Sequence, residues 1–272
     1  MNTFIDINNK RISIIGLRES GLRSAKLANY LGGKVFGSDI SESLEVSNNA
    51  VTLMNENHIP TETGIHTNRI FEADFWVISP GISKSSRIIL KAKKYGIPIY
   101  SELEFASWYT KSPIIAITGS NGKTTTSLIL LEIFKKEYKS SVVAGNIGIP
   151  FSKFVLEELI NPVKNRFYIL EVSSFQLEFI KNFKPEVSIY TNISPDHLDR
   201  HKTMSEYISM KLRMIENMDS SGFIIYKLND KILKSKFENS DLNTIPIDIH
   251  STKNQYYVKD NYLYKQNKQI LK

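Results

Sequence analysis

Gly119-Ser120-Asn121-Gly122-Lys123-Thr124-Thr125 is the stretch whose residue types and spacing point most directly to chemistry. It follows the apolar run Pro113–Ile117 and precedes Ser127–Phe134, which reads as a helix. A strand that enters a glycine-rich loop and then a helix turns backbone N–H groups toward an anion. Lys123 adds a mobile cation for the outer phosphates of ATP, and Thr124 offers a hydroxyl to magnesium. The general phosphate-loop pattern has a glycine where this chain has Ile117, so the working signature is Gly119-x-x-Gly122-Lys123-Thr124. These seven residues are the expected ATP site.

Three further groups could work beside that loop. Glu171 emerges from the apolar run 167–170, where a carboxylate commonly holds or orients magnesium in a phosphate-loop fold. Asp196-His197-Leu-Asp199-Arg200-His201 follows the strand candidate 187–191 and suits metal or phosphate chemistry, although a solvated loop uses the same residue types. His197, nearest the strand end, is the expected ligand there, while Asp199, Arg200 and His201 fix the loop. Lys211 lies among apolar residues of a helix expected over 206–215 with Ser205 as its cap. A lysine so placed is rare unless paired or modified. Asn146, in the turn Gly145–Gly148, is positioned to contact a substrate or to stabilise the turn.

The elements that must position these groups alternate in type. Strand candidates at 11–15, 34–38, 75–79 and 97–100 are separated by helical stretches through Tyr30 and near 46–56 and 86–94. This predicts α/β architecture, with an N-terminal Rossmann-like parallel-sheet domain over 1–110 and a phosphate-loop α/β domain over 111–272. The boundary falls near Tyr109–Ser112, after a short amphipathic helix. In the first unit, Gly16-Leu-Arg18-Glu-Ser-Gly21 carries Arg18 where a dinucleotide site has its second glycine, and Asp39 is the acidic residue downstream. The turn Ser79-Pro-Gly81-Ile caps the third strand, at the end of a sheet where ligands bind. Trp76 and Trp108 are expected in packing, and His58 and His66 in structural roles.

Composition excludes several classes. The 272 residues contain no cysteine, which rules out disulfides and thiolate chemistry. The net charge of +7 comes from scattered lysines, with no basic block interleaved with aromatics, so nucleic acid is not an expected partner. No apolar run approaches the roughly 20 residues of a membrane span. A cytoplasmic monomer without membrane insertion is expected.

Taken together, the short phosphate loop, Gly145-Asn146-Ile-Gly148, Glu171-Val-Ser-Ser-Phe-Gln-Leu-Glu178, Asp196-His-Leu-Asp-Arg200, Lys211-Leu-Arg213 and Ser79-Pro-Gly-Ile82 resemble the Mur ligases of bacterial cell-wall synthesis. The likeness runs over the whole chain and is strongest to the D-glutamate-adding branch, because Ser-Ser-Phe-Gln-Leu-Glu separates that branch from its siblings. The resemblance implies ATP-driven amide formation between UDP-N-acetylmuramoyl-L-alanine and D-glutamate through an acyl phosphate. It implies a UDP-sugar site at Asp39 and Gly81, and substrate contacts from Asn146, Ser173 and His197. It implies two magnesium ions, one on Thr124 and Glu171 and one on His197 and a carbamylated Lys211. Lys123, His197 and Lys211 are then the catalytic set.

The resemblance also implies a third domain that supplies the D-glutamate site, so the 272-residue chain alone is expected to bind nucleotides without ligating. A hairpin is expected over 256–264 with its turn at Asp260-Asn261, and an unfinished central sheet would expose an edge. Other readings are a sibling or folylpolyglutamate-type ligase, and a non-catalytic UDP-sugar-binding paralogue.

Overall fold

The computed structural model describes residues 4–248 together with 256–259, 262–265 and 268–271. The chain begins with β1 (Arg11–Ile15), α1 (Glu19–Tyr30), β2 (Lys34–Asp39), α2 (Leu44–Asn57), β3 (Thr61–Thr63), β4 (Phe75–Ile78), α3 (Arg87–Lys94), β5 (Ile99–Ser101) and α4 (Glu102–Ser107). The five strands form one parallel sheet in the order β3-β2-β1-β4-β5. The order reverses direction beside β1, and the carboxyl ends of β1 and β4 diverge there into loops that leave a crevice. β4 (Phe-Trp-Val-Ile) is a continuous apolar run, buried at every position, and β1 is buried from Ile12 to Ile15, as a strand covered on both faces requires. Trp76 is fully buried in β4 and Trp108 nearly so.

The second unit follows with β6 (Ile114–Thr118), α5 (Lys123–Lys135), β7 (Val142–Gly145), α6 (Phe151–Ile160), β8 (Tyr168–Glu171), β9 (Val187–Tyr190), α7 (Leu198–His201), α8 (Met204–Leu212), β10 (Phe223–Lys227), α9 (Lys231–Phe237) and β11 (Asn243–Ile247). Its six parallel strands run β11-β10-β9-β6-β8-β7, so the strand feeding the phosphate loop is central and flanked by β8 and β9. One face is covered by α5, whose Leu130, Leu131 and Phe134 pack on Ile115, Ile117 and Ile169. The other face belongs to a core shared with the first unit.

The expected alternation of strands and helices is present, with β3 an addition that its three half-buried residues, Thr-Glu-Thr, did not announce. The helix expected over 206–215 with Ser205 as its cap starts two residues earlier, at Met204. Thr203 is its cap, its Oγ1 accepting from the Glu206 amide at 3.2 Å, and the last turn, 213–215, tightens to a 3₁₀ form. Beyond β11, the expected hairpin appears as β12 (Tyr256–Lys259) paired antiparallel with β13 (Tyr262–Lys265), and β14 (Lys268–Leu271) adds a third strand. The turn residues Asp260 and Asn261 lie outside the described residues. β11 forms one edge of the central sheet and carries Pro246, which removes one ladder donor.

The stretch joining the two sheets is packed. Glu104, on α4, is fully buried, and its carboxylate accepts from the amides of Lys181, Asn182 and Phe183 and from the Trp108 indole, all between 2.8 and 3.0 Å. Four donors on one carboxylate compensate for its removal from water and tie α4 to the second unit.

Candidate active site

The phosphate loop takes its shape from two glycines. Gly119 has φ +149°, and a Cβ there would stand 1.9 Å from Thr191 Oγ1, so no other residue fits. Gly122 (φ +81°) caps α5, and the first amides of that helix have no partner within it. Residues at the end of β9 brace the loop from the side. The amide of Ser120 donates to Asn192 O at 2.9 Å and that of Asn121 to Asn192 Oδ1 at 3.0 Å. Thr191 Oγ1 donates to Asn121 O at 2.7 Å, and Ser120 Oγ to Ser194 O at 2.8 Å. Thr191, Asn192 and Ser194 carry no distinguishing sequence signal, because small polar residues after a strand are ordinary loop composition.

Lys123 folds back on its own loop, with Nζ donating to Gly119 O and Ser120 O at 3.0 Å each. Lys211 reaches the same carbonyl from α8, its Nζ 2.9 Å from Gly119 O and 4.6 Å from the Tyr207 ring centroid. Only 2% of Lys211 is exposed. Burial, and then the neighbouring Lys123 cation, lower its pKa to about 7. A buried amine that is substantially neutral at physiological pH is nucleophilic in a way an ordinary lysine is not.

Glu171 is the second centre. Thr124 Oγ1 donates to its Oε2 at 2.7 Å and Asn146 Nδ2 to its Oε1 at 2.8 Å. The Asn146 amide also donates to the Glu171 carbonyl at 2.8 Å, and Gly145 (φ +102°) permits that approach because a Cβ there would meet the same carbonyl at 2.4 Å. A threonine hydroxyl and a carboxylate held together are hard oxygen donors, and they fit a magnesium ion whose other ligands are phosphates and water. Among the described residues no three His, Cys, Asp or Glu side chains converge as a metal cage, which such an ion does not need.

The remaining expected residues divide. His197 opens α7 in a left-handed conformation (φ 51°) and is half exposed; its Nε2 lies 3.5 Å from Asp196 and its ring 4.9 Å from that of Phe175. No hydrogen bond or ion pair joins it to Lys211. Ser173 is used locally, its amide and hydroxyl both meeting Gln176 Oε1. Thr125 stands exposed on the first turn of α5.

The second expected site is a cleft of about 860 Å³ at the carboxyl ends of β1, β2 and β4, lined by Gly16, Arg18, Asp39, His66, Gly81 and Arg87 among others. Asp39 faces it from a buried position and accepts from the amides of Leu17 (2.7 Å) and Ser41 (2.8 Å), so it also fixes the glycine turn. A Cβ on Gly81 would meet nothing within 4 Å. Arg18 is largely exposed, 3.9 Å from Glu45. His66, expected in a structural role, instead stands on the cleft wall, where it bonds Ser38 at 2.7 Å and burial lowers its pKa.

Comparison with known proteins agrees with both halves. Residues 117–272 match the family model of the Mur ligase middle domain, and residues 11–88 that of the MurD N-terminal domain. A UDP-N-acetylmuramoylalanine–D-glutamate ligase of Chlorobium limicola is 40% identical over 239 residues, covering 86% of this chain and 50% of that protein. One of Caldanaerobacter subterraneus is 35% identical over 270 residues, covering 98% and 59%. The chain thus spans about half the length of the curated relatives it matches. Among solved structures, the UDP-N-acetylmuramate:L-alanyl-gamma-D-glutamyl-meso-diaminopimelate ligase of Neisseria meningitidis aligns with a TM-score of 0.63 at 16% identity, covering 96% of this chain and 86% of that one, a likeness of fold. No helix among the described residues is long and apolar enough to cross a membrane.

Proposed function

The chain belongs to the Mur ligase family, and on that premise we propose that it serves the ATP-dependent joining of D-glutamate to UDP-N-acetylmuramoyl-L-alanine in peptidoglycan synthesis. The observation that carries this reading is the convergence of Lys123 and Lys211 on the Gly119 carbonyl, beside a Thr124–Glu171 pair, in a chain that also holds a cleft of about 860 Å³ in its first unit. A phosphate-binding loop alone would need only the first lysine.

The proposed reaction has two steps. The alanyl carboxylate attacks the γ-phosphorus, a C–O–P bond forms, and ADP leaves. The amine of D-glutamate then attacks the acyl carbon to form the C–N bond, the acyl C–O bond breaks, and inorganic phosphate departs with the proton the nitrogen gives up. Two anions must meet in the first step, so placement and positive charge supply most of the catalysis. Lys123 leaves its two carbonyls to bind the β- and γ-phosphates, while the unpartnered amides at the start of α5 receive phosphate oxygens. Thr124 and Glu171 would hold magnesium, which neutralises phosphate charge when bound. Lys211, as the neutral amine, would add to CO₂ and release one N–H proton to water, giving a carbamate anion that with His197 could hold a second magnesium. Asn146, with Ser173 nearby, orients the reacting arm of the substrate, and Asp39 and Gly81 receive the uridine and sugar ends. Cytoplasmic location and a monomeric state complete the proposal.

Calorimetry tests it. The chain should bind Mg·ATP, and UDP-N-acetylmuramoyl-L-alanine in preference to UDP-N-acetylmuramate, while Lys123→Ala loses the first affinity and keeps the second. Equal affinity for the two UDP-sugars would sink the substrate assignment. Under ¹³CO₂, a carbamate carbon signal should appear and vanish in Lys211→Met.

A further inference from the structure

Arg200 touches both units. Its Nη1 donates to Gly81 O and its Nη2 to Ile82 O, each at 3.0 Å, so it grips the turn that borders the cleft. The same guanidinium meets Glu178, Nη2 to Oε2 at 3.0 Å and Nε to Oε1 at 3.3 Å, and lies 4.4 Å over the Phe175 ring. The Glu178 side chain is 1% exposed and that of Arg200 15%, so water competes little for either. Glu178 also accepts from the amide of Lys84 at 3.3 Å, and Lys84 Nζ pairs with Glu206 on α8 at 2.6 Å.

From Arg200 the contacts continue to the phosphate loop. His201, next in the chain, bonds Ser174 Oγ through Nε2 at 2.8 Å and packs its ring 5.4 Å from that of Tyr207. The Tyr207 hydroxyl lies 3.1 Å from Ser120 Oγ, inside the loop. A contiguous path is not by itself coupling. The fork geometry adds the physical reason: one rigid planar group holds two consecutive carbonyls of the turn and a carboxylate of the other unit, so the turn cannot shift without breaking charge-assisted bonds.

We propose that Arg200 is a positioning residue that couples the cleft to the phosphate loop, so that a ligand in the cleft tightens nucleotide binding at Gly119–Thr125. A filled cleft orders the Ser79–Ile82 turn, the turn holds Arg200, and α7 with Tyr207 holds Ser120. The proposal takes its probe ligands from the function proposed above.

The test measures the affinity of the 272-residue chain for a non-hydrolysable Mg·ATP analogue with and without saturating UDP-N-acetylmuramoyl-L-alanine. The native chain should show a ratio of about fivefold or more, within the usual range of coupling between sites. Arg200→Lys should keep each separate affinity within about twofold and bring the ratio to about one, because an ammonium cannot reproduce the fork. A native ratio of one, or a native-like ratio in Arg200→Lys, overturns the proposal. Should Arg200→Lys fail to fold, Glu178→Gln takes its place with the same expected loss. If neither ligand binds the native chain, the ligand assignment fails and the link is read from amide exchange. Arg200→Lys should then speed exchange at Lys84 and Ser120 together, with Ile14 and Val77 unchanged; acceleration at Lys84 alone overturns the link.

Discussion

The two candidate sites are built in opposite ways. The cleft of the first unit is an open volume of about 860 Å³ bordered by backbone turns, where Gly81 has free space before it and Arg18 stands largely in water. The site of the second unit is closed on itself: Lys123 and Lys211 share the Gly119 carbonyl, and Thr124 and Asn146 occupy both oxygens of Glu171. A ligand enters the first without breaking protein contacts. At the second it must exchange internal hydrogen bonds for its own, each worth about 1 kcal/mol net and more where a charge takes part. The cleft is therefore expected to select by shape, and the loop by charge.

Gly119→Ala and Gly81→Ala give the widest separation. The first forces a Cβ against Thr191 Oγ1 at a backbone angle that disfavours side chains, and should cost about 2–4 kcal/mol in denaturant unfolding and abolish nucleotide binding. The second should change stability by less than about 0.5 kcal/mol. Similar costs for both would erase the contrast.

The next effect is one of pH. Lys211 holds a proton in the unfolded chain up to its ordinary 10.5 but releases it in the fold near 7. Between those values the unfolded state binds more protons, so stability rises with pH; below about 7 the full burial penalty is present. Lys211→Met should flatten this slope, which is on the order of 4 kcal/mol across the window. Chemical denaturation from pH 6.5 to 9.5 in CO₂-free buffer measures it, and an unchanged slope would show that Lys211 is not the titrating group.

Glu171→Gln sharpens the comparison from the ligand side. The amide still accepts from Thr124 but cannot accept from Asn146 with the same atom, so stability should fall by about 1 kcal/mol. Magnesium-dependent ATP affinity should drop at least about tenfold with UDP-sugar affinity intact, both read by calorimetry. Arg18→Ala is expected to have the smallest effect. Its exposed contact with Glu45 at 3.9 Å contributes under about 0.5 kcal/mol, so only UDP-sugar affinity should move, by a few-fold.

The sequence was most legible where one local rule suffices. Ile114–Thr118 and the glycines of the loop follow from strand pattern and glycine freedom, and the fold places them as expected, whereas α5 begins at Lys123, four residues before the helix read from Ser127. Glu171 was legible because a carboxylate after a buried strand needs a partner, although its partners Thr124 and Asn146 lie 47 and 25 residues away. His197 illustrates the limit: its place after β9 was readable, but its half-exposed setting beside Asp196 and Phe175 was not. Glu104 gave no local signal, since a glutamate in an amphipathic helix is an ordinary surface residue, and Arg200 was readable as a loop-fixing residue but its partners Gly81, Ile82 and Glu178 were not.

By itself the sequence determined the strand–helix alternation apart from β3, the two α/β units and the place of the phosphate loop, because these depend on periodicity and on glycine at fixed spacing. The tertiary structure alone decided which distant groups meet. It put Lys211 on the carbonyl that Lys123 also uses, turned Glu104 into the bond between the units, and set Arg200 between the cleft and the loop. The physical reason is that these contacts form between elements brought together by sheet order and core packing, which local propensity does not encode.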